Sequence, residues 1–307
     1  MFRTLSEDDH ELNIVNVIRP KVIYLLIALM VPAILIATLS GMLTQQGGEP
    51  FSYTTIRGES VLIYGKGIYR HMGADVAIQG IAQDYITLLI ALPLLLTGLY
   101  RAHKGKLDGL LLLPGTLLYI SLTYLFYTAM AMYNEMFLVY VLLLGLSLFS
   151  LIISLIHVPY ARLHGMLAHD GTIRWASWFL LITAGSITCL WLSIVLPPML
   201  DGSIYPIALQ HYTTMIVQGF DLGIFLPMAM VVAILALRKQ HFGPAWLLIY
   251  LIFLSILMLA LCSKILFSAR AGQNVIPVVF IIPTFCILAI GFSIRFMRVL
   301  IRRQPQQ

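Results

Sequence analysis

Charge is what this sequence has least of. Thirteen acidic and nineteen basic side chains make up 10% of its 307 residues, while hydrophobic residues make up 60% and mean hydropathy is +0.93. A soluble domain needs a far more even balance, so the composition points to an integral membrane protein with short loops. Cysteine is almost absent. Cys189, Cys262 and Cys286 fall in apolar stretches with no CxxC pair, which removes any disulfide framework and reads as buried, reduced thiols. No Walker, GxSxG, HExxH or dinucleotide-binding pattern occurs. The eight histidines fall in loops or at span ends, which argues against a haem held between facing helices, and no cofactor is indicated. The net charge of +6 would suggest nucleic acid in a soluble chain, but here the basic residues flank apolar segments and set topology instead.

A membrane span needs about 20 apolar residues. Eight segments qualify: Lys21 to Leu43, Asp84 to Arg101, Leu107 to Tyr133, Met136 to His157, Arg174 to Leu200, Tyr212 to Arg238, Phe242 to Phe267 and Val275 to Val299. The stretch before the first, "MFRTLSEDDHELNIVNVIRP", is too polar for a signal peptide, so the first span is expected to be kept as an anchor. Between the first two spans, residues 46–80 contain "YTTIRGESVLIYGKGIY", β-branched and aromatic residues around glycine turns, which predicts a small hairpin. The following "ADVAIQGIAQ" reads as a short interfacial helix. Basic residues gather in the loops that share a side with both termini, about three to one over the other side. That asymmetry predicts cytoplasmic termini, an even number of spans and an extracytoplasmic hairpin.

Shifting the chain by 137 residues brings Asp84 onto Asp221 and Arg101 onto Arg238. The expected fold is therefore all-α, with eight transmembrane helices in two parallel four-helix repeats related by an axis along the membrane normal. Residues 1–20 form a cytoplasmic segment, 21–157 the first repeat, 158–173 a linker, 174–300 the second repeat and 301–307 a tail.

Asp84 and Asp221 are the conspicuous residues, because a carboxylate inside a bilayer is costly. Each stands 17 residues before an arginine, about 25 Å along a helix, near the outer edge of the hydrocarbon. They either cap their helices, where free N–H groups favour negative charge, or form a carboxylate pair that binds a cation, a proton or a substrate amine. Lys264, within a span, either snorkels to the interface or pairs with Asp221 or Asp84. Gln83 and Gln218 share the same region and could bond a ligand or bridge helices. Tyr119, Tyr124 and Tyr127 either line a cavity or pack. An external metal site from His71, Asp75, Asp84, His211 and Asp221 is conceivable, although loop histidines are common. The ligand-binding set is Asp84, Asp221, Gln83, Gln218 and Lys264, between the repeats on the extracytoplasmic side. Three functional classes stay open: a transporter-like or small-ligand-binding protein, an intramembrane enzyme acting on a lipid or quinone, and a sensor or assembly subunit.

The strings "GIAQDYITLLIALPLLL", "YNEMFLVYVLLLGLSLFSLI" and "VQGFDLGIFLP" resemble a group of uncharacterised polytopic bacterial membrane proteins, over most of Tyr64 to Phe267. The resemblance implies the bacterial cytoplasmic membrane as location. It carries no assigned activity and no catalytic residues.

Overall fold

The computed structural model describes residues 21–303; the predicted N-terminal segment and the last four residues of the tail lie outside them. The long helices are α1 (Lys21–Leu43), α2 (Ala74–His103), α3 (Leu107–Met130), α4 (Phe137–Ile156), α6 (Gly171–Asp201), α7 (Ile216–Leu237), α8 (Gly243–Arg270) and α9 (Val278–Arg303), with a short α5 (Tyr160–Leu167) between α4 and α6. All eight long helices are apolar and long enough to cross a membrane, which marks a polytopic membrane protein. Helices α3 and α8 are largely buried and form the centre; the other six expose most of their surface, as helices facing lipid would.

Strands β1 (Phe51–Thr54) and β2 (Ser60–Ile63) pair antiparallel in the register Phe51 to Ile63, Ser52 to Leu62, Tyr53 to Val61 and Thr54 to Ser60. The hairpin predicted between the first two spans is therefore present. Its turn closes where the sequence places Arg57-Gly58: Gly58 takes φ +87, readily adopted by glycine alone, and donates to the Thr55 carbonyl at 2.9 Å. Arg57 then reaches across to the second half. Its Nη1 donates to the Gln210 carbonyl at 2.9 Å and its Nη2 to the Tyr212 carbonyl at 3.1 Å, with the guanidinium 5.1 Å from the Tyr205 ring centre. We expect Arg57→Ala to free the hairpin while changing global stability by about 1 kcal/mol or less, since the contacts are half-solvated. Faster amide exchange and proteolysis confined to residues 51–63 is the signature.

One segment runs differently from what the sequence led us to expect. The second span does not begin at Asp84: α2 starts at Ala74, and "ADVAIQGIAQ" is its first part rather than a separate interfacial helix. Helix α7 starts at Ile216, close to the expected Tyr212 and ahead of Asp221. The helix-capping role for the two aspartates is thereby overturned, because the positions preceding the helices are Gly73 and Met215. Polar side chains interrupt the hydropathy of these segments without interrupting the backbone, because they find partners inside the bundle.

Both helices widen into a π-helical turn, Thr87–Ala91 in α2 and Asp221–Phe225 in α7, where the N–H of Leu92 bonds the Thr87 carbonyl and that of Leu226 bonds the Asp221 carbonyl. A proline follows each turn by two residues, Pro93 and Pro227. A proline ring crowds the carbonyl four residues back, and the wider turn relieves that crowding. These turns lie 134 positions apart, as do the helical segments after them, Leu92–His103 and Leu226–Leu237. Gly109 and Gly243 keep the same spacing. An added Cβ at Gly109 would lie 2.4 Å from the Ala102 nitrogen, and one at Gly243 would lie 2.7 Å from that of Ala236. The elements thus coincide at 134 residues, not at 137. That register sets Asp221 against Thr87 and Asp84 against Gln218. Three positions are close to one helical turn, so each carboxylate keeps nearly the same face.

The packing is not the same in the two halves. In the first, α1 packs along α4 and against α2, which lies on α3, which lies on α4, closing a four-helix ring. In the second, α6 packs on α7, α7 on α8 and α8 on α9, but α6 and α9 barely meet. The cross-contacts differ in the same way: α2 lies along α8, whereas α7 touches α3 at only a few residues.

Candidate functional site

The first half is filled. Asp84 is 1% exposed, and its carboxyl group receives the Tyr69 hydroxyl at Oδ2 (2.6 Å) and lies 3.0 Å from the Tyr127 hydroxyl at Oδ1. Tyr69 comes from the segment after the hairpin. Burial, then the carboxyl beside it, pushes its phenol well above the usual range, so it stays protonated and can donate. Gly41 of α1 closes the remaining side: a Cβ there would fall 1.9 Å from Asp84 Oδ2 and 2.8 Å from the Tyr69 oxygen. Tyr124 and Tyr140 stack with ring centres 6.2 Å apart, and each also meets Tyr127 edge-on. Gln83, also buried, donates to the Tyr119 hydroxyl at 2.9 Å and Thr123 Oγ1 at 3.0 Å.

The two donors to Asp84 are unequal. Tyr69 has one acceptor there, whereas Tyr127 also lies 2.9 Å from the Gly80 carbonyl and shares its single proton. Tyr69→Phe is therefore expected to lower stability by about 1.5–3 kcal/mol and Tyr127→Phe by about half of that. Thermal unfolding of the two variants in detergent measures the ranking.

The second half is open. A cavity of about 550 Å³ lies among α2, α3, α6, α7, α8 and α9, capped by the α8–α9 loop. That is within the range of small-molecule sites, roughly 300–1,000 Å³. Asp221 lines it, partly buried, with the Trp191 indole N–H donating to its Oδ2 at 2.8 Å. Lys264 lines it as well, and no ion pair within 4.0 Å joins Lys264 to either Asp221 or Asp84. Gln83 reaches the same space, and its Oε1 is buried with no hydrogen-bond partner.

Of the five predicted site residues, the cavity gathers Gln83, Asp221 and Lys264. Asp84 stands behind Tyr69 and Tyr127, which themselves form part of the cavity wall. Gln218 lines a separate pocket of about 80 Å³ with Met130, Leu209 and Tyr212. The sequence reading did not single out Gly41, Tyr69 or Trp191. A buried indole needs an acceptor, and Trp191 within an apolar span was the available signal; the roles of Gly41 and Tyr69 depend on contacts across α1, the hairpin segment and α2. Of the three tyrosines left between lining and packing, Tyr127 lines the cavity, Tyr119 anchors Gln83 and Tyr124 packs.

The five residues considered for a metal are dispersed. Asp84 is inside the first half, Asp75 accepts from Gln210 Nε2 at 3.0 Å, and His211 Nε2 lies 3.2 Å from the His71 carbonyl. Burial holds the His211 ring below the ordinary imidazole range. Among the described residues no group of three or more His, Cys, Asp or Glu is placed to hold a metal ion. No protein-family model, curated protein or solved structure matches the chain. The case for a site therefore rests on the cavity itself.

Proposed function

We propose that this polytopic membrane protein binds a small ligand in the cavity between two parallel four-helix repeats, in the manner of a transporter or ligand receptor. The observation that carries the reading is an acid and a base, Asp221 and Lys264, lining one largely apolar cavity without pairing with each other. Ionisable groups at membrane depth are kept where they meet a partner, a substrate or water. The π turn at Asp221 supports the same reading, since such turns recur at functional sites.

The 134-residue register supports the repeat. Gly115 of α3 packs against Ile249 of α8, its own counterpart 134 positions on, as residues beside a two-fold axis do. Orientation follows from charge. Arg101, Lys104, Lys106, Arg174, Arg238 and Lys239 cluster at the end opposite the hairpin, which the positive-inside rule assigns to the cytoplasm. The hairpin then faces the extracytoplasmic side of a bacterial cytoplasmic membrane.

Native mass spectrometry of the gently purified protein tests the reading. One small molecule held at a fixed ratio by the wild type and absent from Asp221→Asn is the expected result. An empty wild-type protein, or retention unchanged by the substitution, rejects it.

A further inference from the structure

The cavity borders α6 and α9, which barely meet. Helices α6 and α9 meet through Phe179, whose ring centre lies 5.5 Å from that of Phe292 and 6.2 Å from that of Phe285. Phe179 lies in the part of α6 away from the hairpin, Phe292 near the middle of α9 and Phe285 in its hairpin-side half. Nearer the hairpin, Ile187 and Leu190 of α6 and Val278 and Ile282 of α9 border the cavity instead of each other. Leu190 is 53% exposed and Val278 44%. The matching pair in the first half, α1 and α4, packs closely, so the splay belongs to the second half alone. In a bilayer such a gap faces acyl chains, and whatever enters through it comes from the lipid phase.

The lining is divided accordingly. Phe253, Leu254 and Leu257 form an apolar floor, while Lys264, Gln273 and Asn274 lie toward the hairpin end. Asp221 and its Trp191 partner stand at the same level as this polar rim, near the start of α7. From this arrangement we infer that the ligand is a zwitterionic membrane lipid with a phosphoethanolamine-type head group, one chain in the cavity and the other left in the bilayer. The inference rests on the ligand-binding reading above. The head group's primary ammonium donates to the Asp221 carboxylate, and its phosphate accepts from Lys264. A purely anionic lipid would satisfy Lys264 and repel Asp221. A choline head has no N–H to donate, so Asp221 would lose that hydrogen bond and keep only a diffuse charge attraction.

The test uses Trp191 as reporter. With Trp175, Trp178 and Trp246 changed to phenylalanine, Trp191 is the last of the four tryptophans. This variant is reconstituted in phosphatidylcholine vesicles with equal fractions of chain-brominated phosphatidylethanolamine, phosphatidylcholine or phosphatidylglycerol. Quenching of Trp191 by the ethanolamine lipid about threefold above either other lipid, lost on adding Asp221→Asn or Lys264→Met, is expected from charge-assisted hydrogen bonds. Equal quenching by all three lipids, or none, overturns the inference. Native mass spectrometry of the wild type from mixed-lipid nanodiscs gives an independent reading: selective retention of phosphatidylethanolamine supports it. A water-soluble molecule retained without lipid overturns the lipid inference and leaves the ligand-binding reading standing, whereas a protein empty of both overturns the two together.

Discussion

Replacing Gly41 with alanine will dismantle the closed half of the bundle. The added methyl would occupy the place of Asp84 Oδ2, 1.9 Å away, and would also crowd the Tyr69 oxygen at 2.8 Å. Asp84 cannot simply turn aside, because its carboxyl group is held between Tyr69 and Tyr127 and is buried on every side. Either the carboxyl leaves its tyrosine donors and stays buried without them, or α1 moves away from α2. Both routes combine overpacking, typically 1–3 kcal/mol, with a lost hydrogen bond to a buried polar group of about the same size, so we expect a loss of about 3–5 kcal/mol. Alanine at Gly145, which has open space around it, is the matched control and should change little. Unfolding midpoints measured in one detergent compare the pair, and equal midpoints would mean that α1 does not pack on Asp84 in this way.

The second large effect separates binding from folding. Asp221→Asn keeps the shape of the side chain and an oxygen that can accept from the Trp191 indole, so the fold should hold to within about 1 kcal/mol. The charge proposed to meet the ligand is gone. Loss of one charge-assisted hydrogen bond in a low-dielectric cavity is worth about 1.5–3 kcal/mol, or roughly a ten- to hundred-fold drop in affinity. Lys264→Met keeps the length and apolar body of the side chain and should weaken binding to a similar degree. The two losses together should fall short of additive, because the groups contact one ligand. Titration of ligand into each variant, alongside its melting curve, separates this outcome from a purely structural role, in which stability and affinity would fall together.

Hydropathy made the eight spans legible because a helix in lipid must satisfy its backbone internally and hide little else. It misplaced the start of α2, where Gln79, Gln83 and Asp84 lower the apolar average without breaking the backbone. The hairpin was legible from its glycines and β-branched residues. Register was only partly so. Matching aspartates and arginines suggested 137 residues, whereas the π turns and the glycine contacts at Gly109 and Gly243 agree on 134. Sparse charges can drift by one turn of helix and keep the same face, but a backbone contact cannot.

Of the site, the sequence disclosed which groups were costly and not where they would face. Nothing in the local pattern around Asp84 and Asp221 tells a locked carboxyl from an open one. The difference lies in distant partners: Gly41 and Tyr69 close over the first, while the splay of α6 from α9 leaves the second beside a cavity. Two aspartates in similar sequence surroundings have thus reached unlike settings.

If this cavity selects its occupant, benzoylphenylalanine placed at Leu257 will capture it. Leu257 lines the cavity, while Ile182 on α6 is 61% exposed and serves as the outward control. After irradiation in native membranes, mass spectrometry of the two labelled peptides should show one dominant adduct at 257, removed by Asp221→Asn, and a mixture following bulk lipid composition at 182. The same mixture at both positions, indifferent to Asp221, would contradict selection by the cavity.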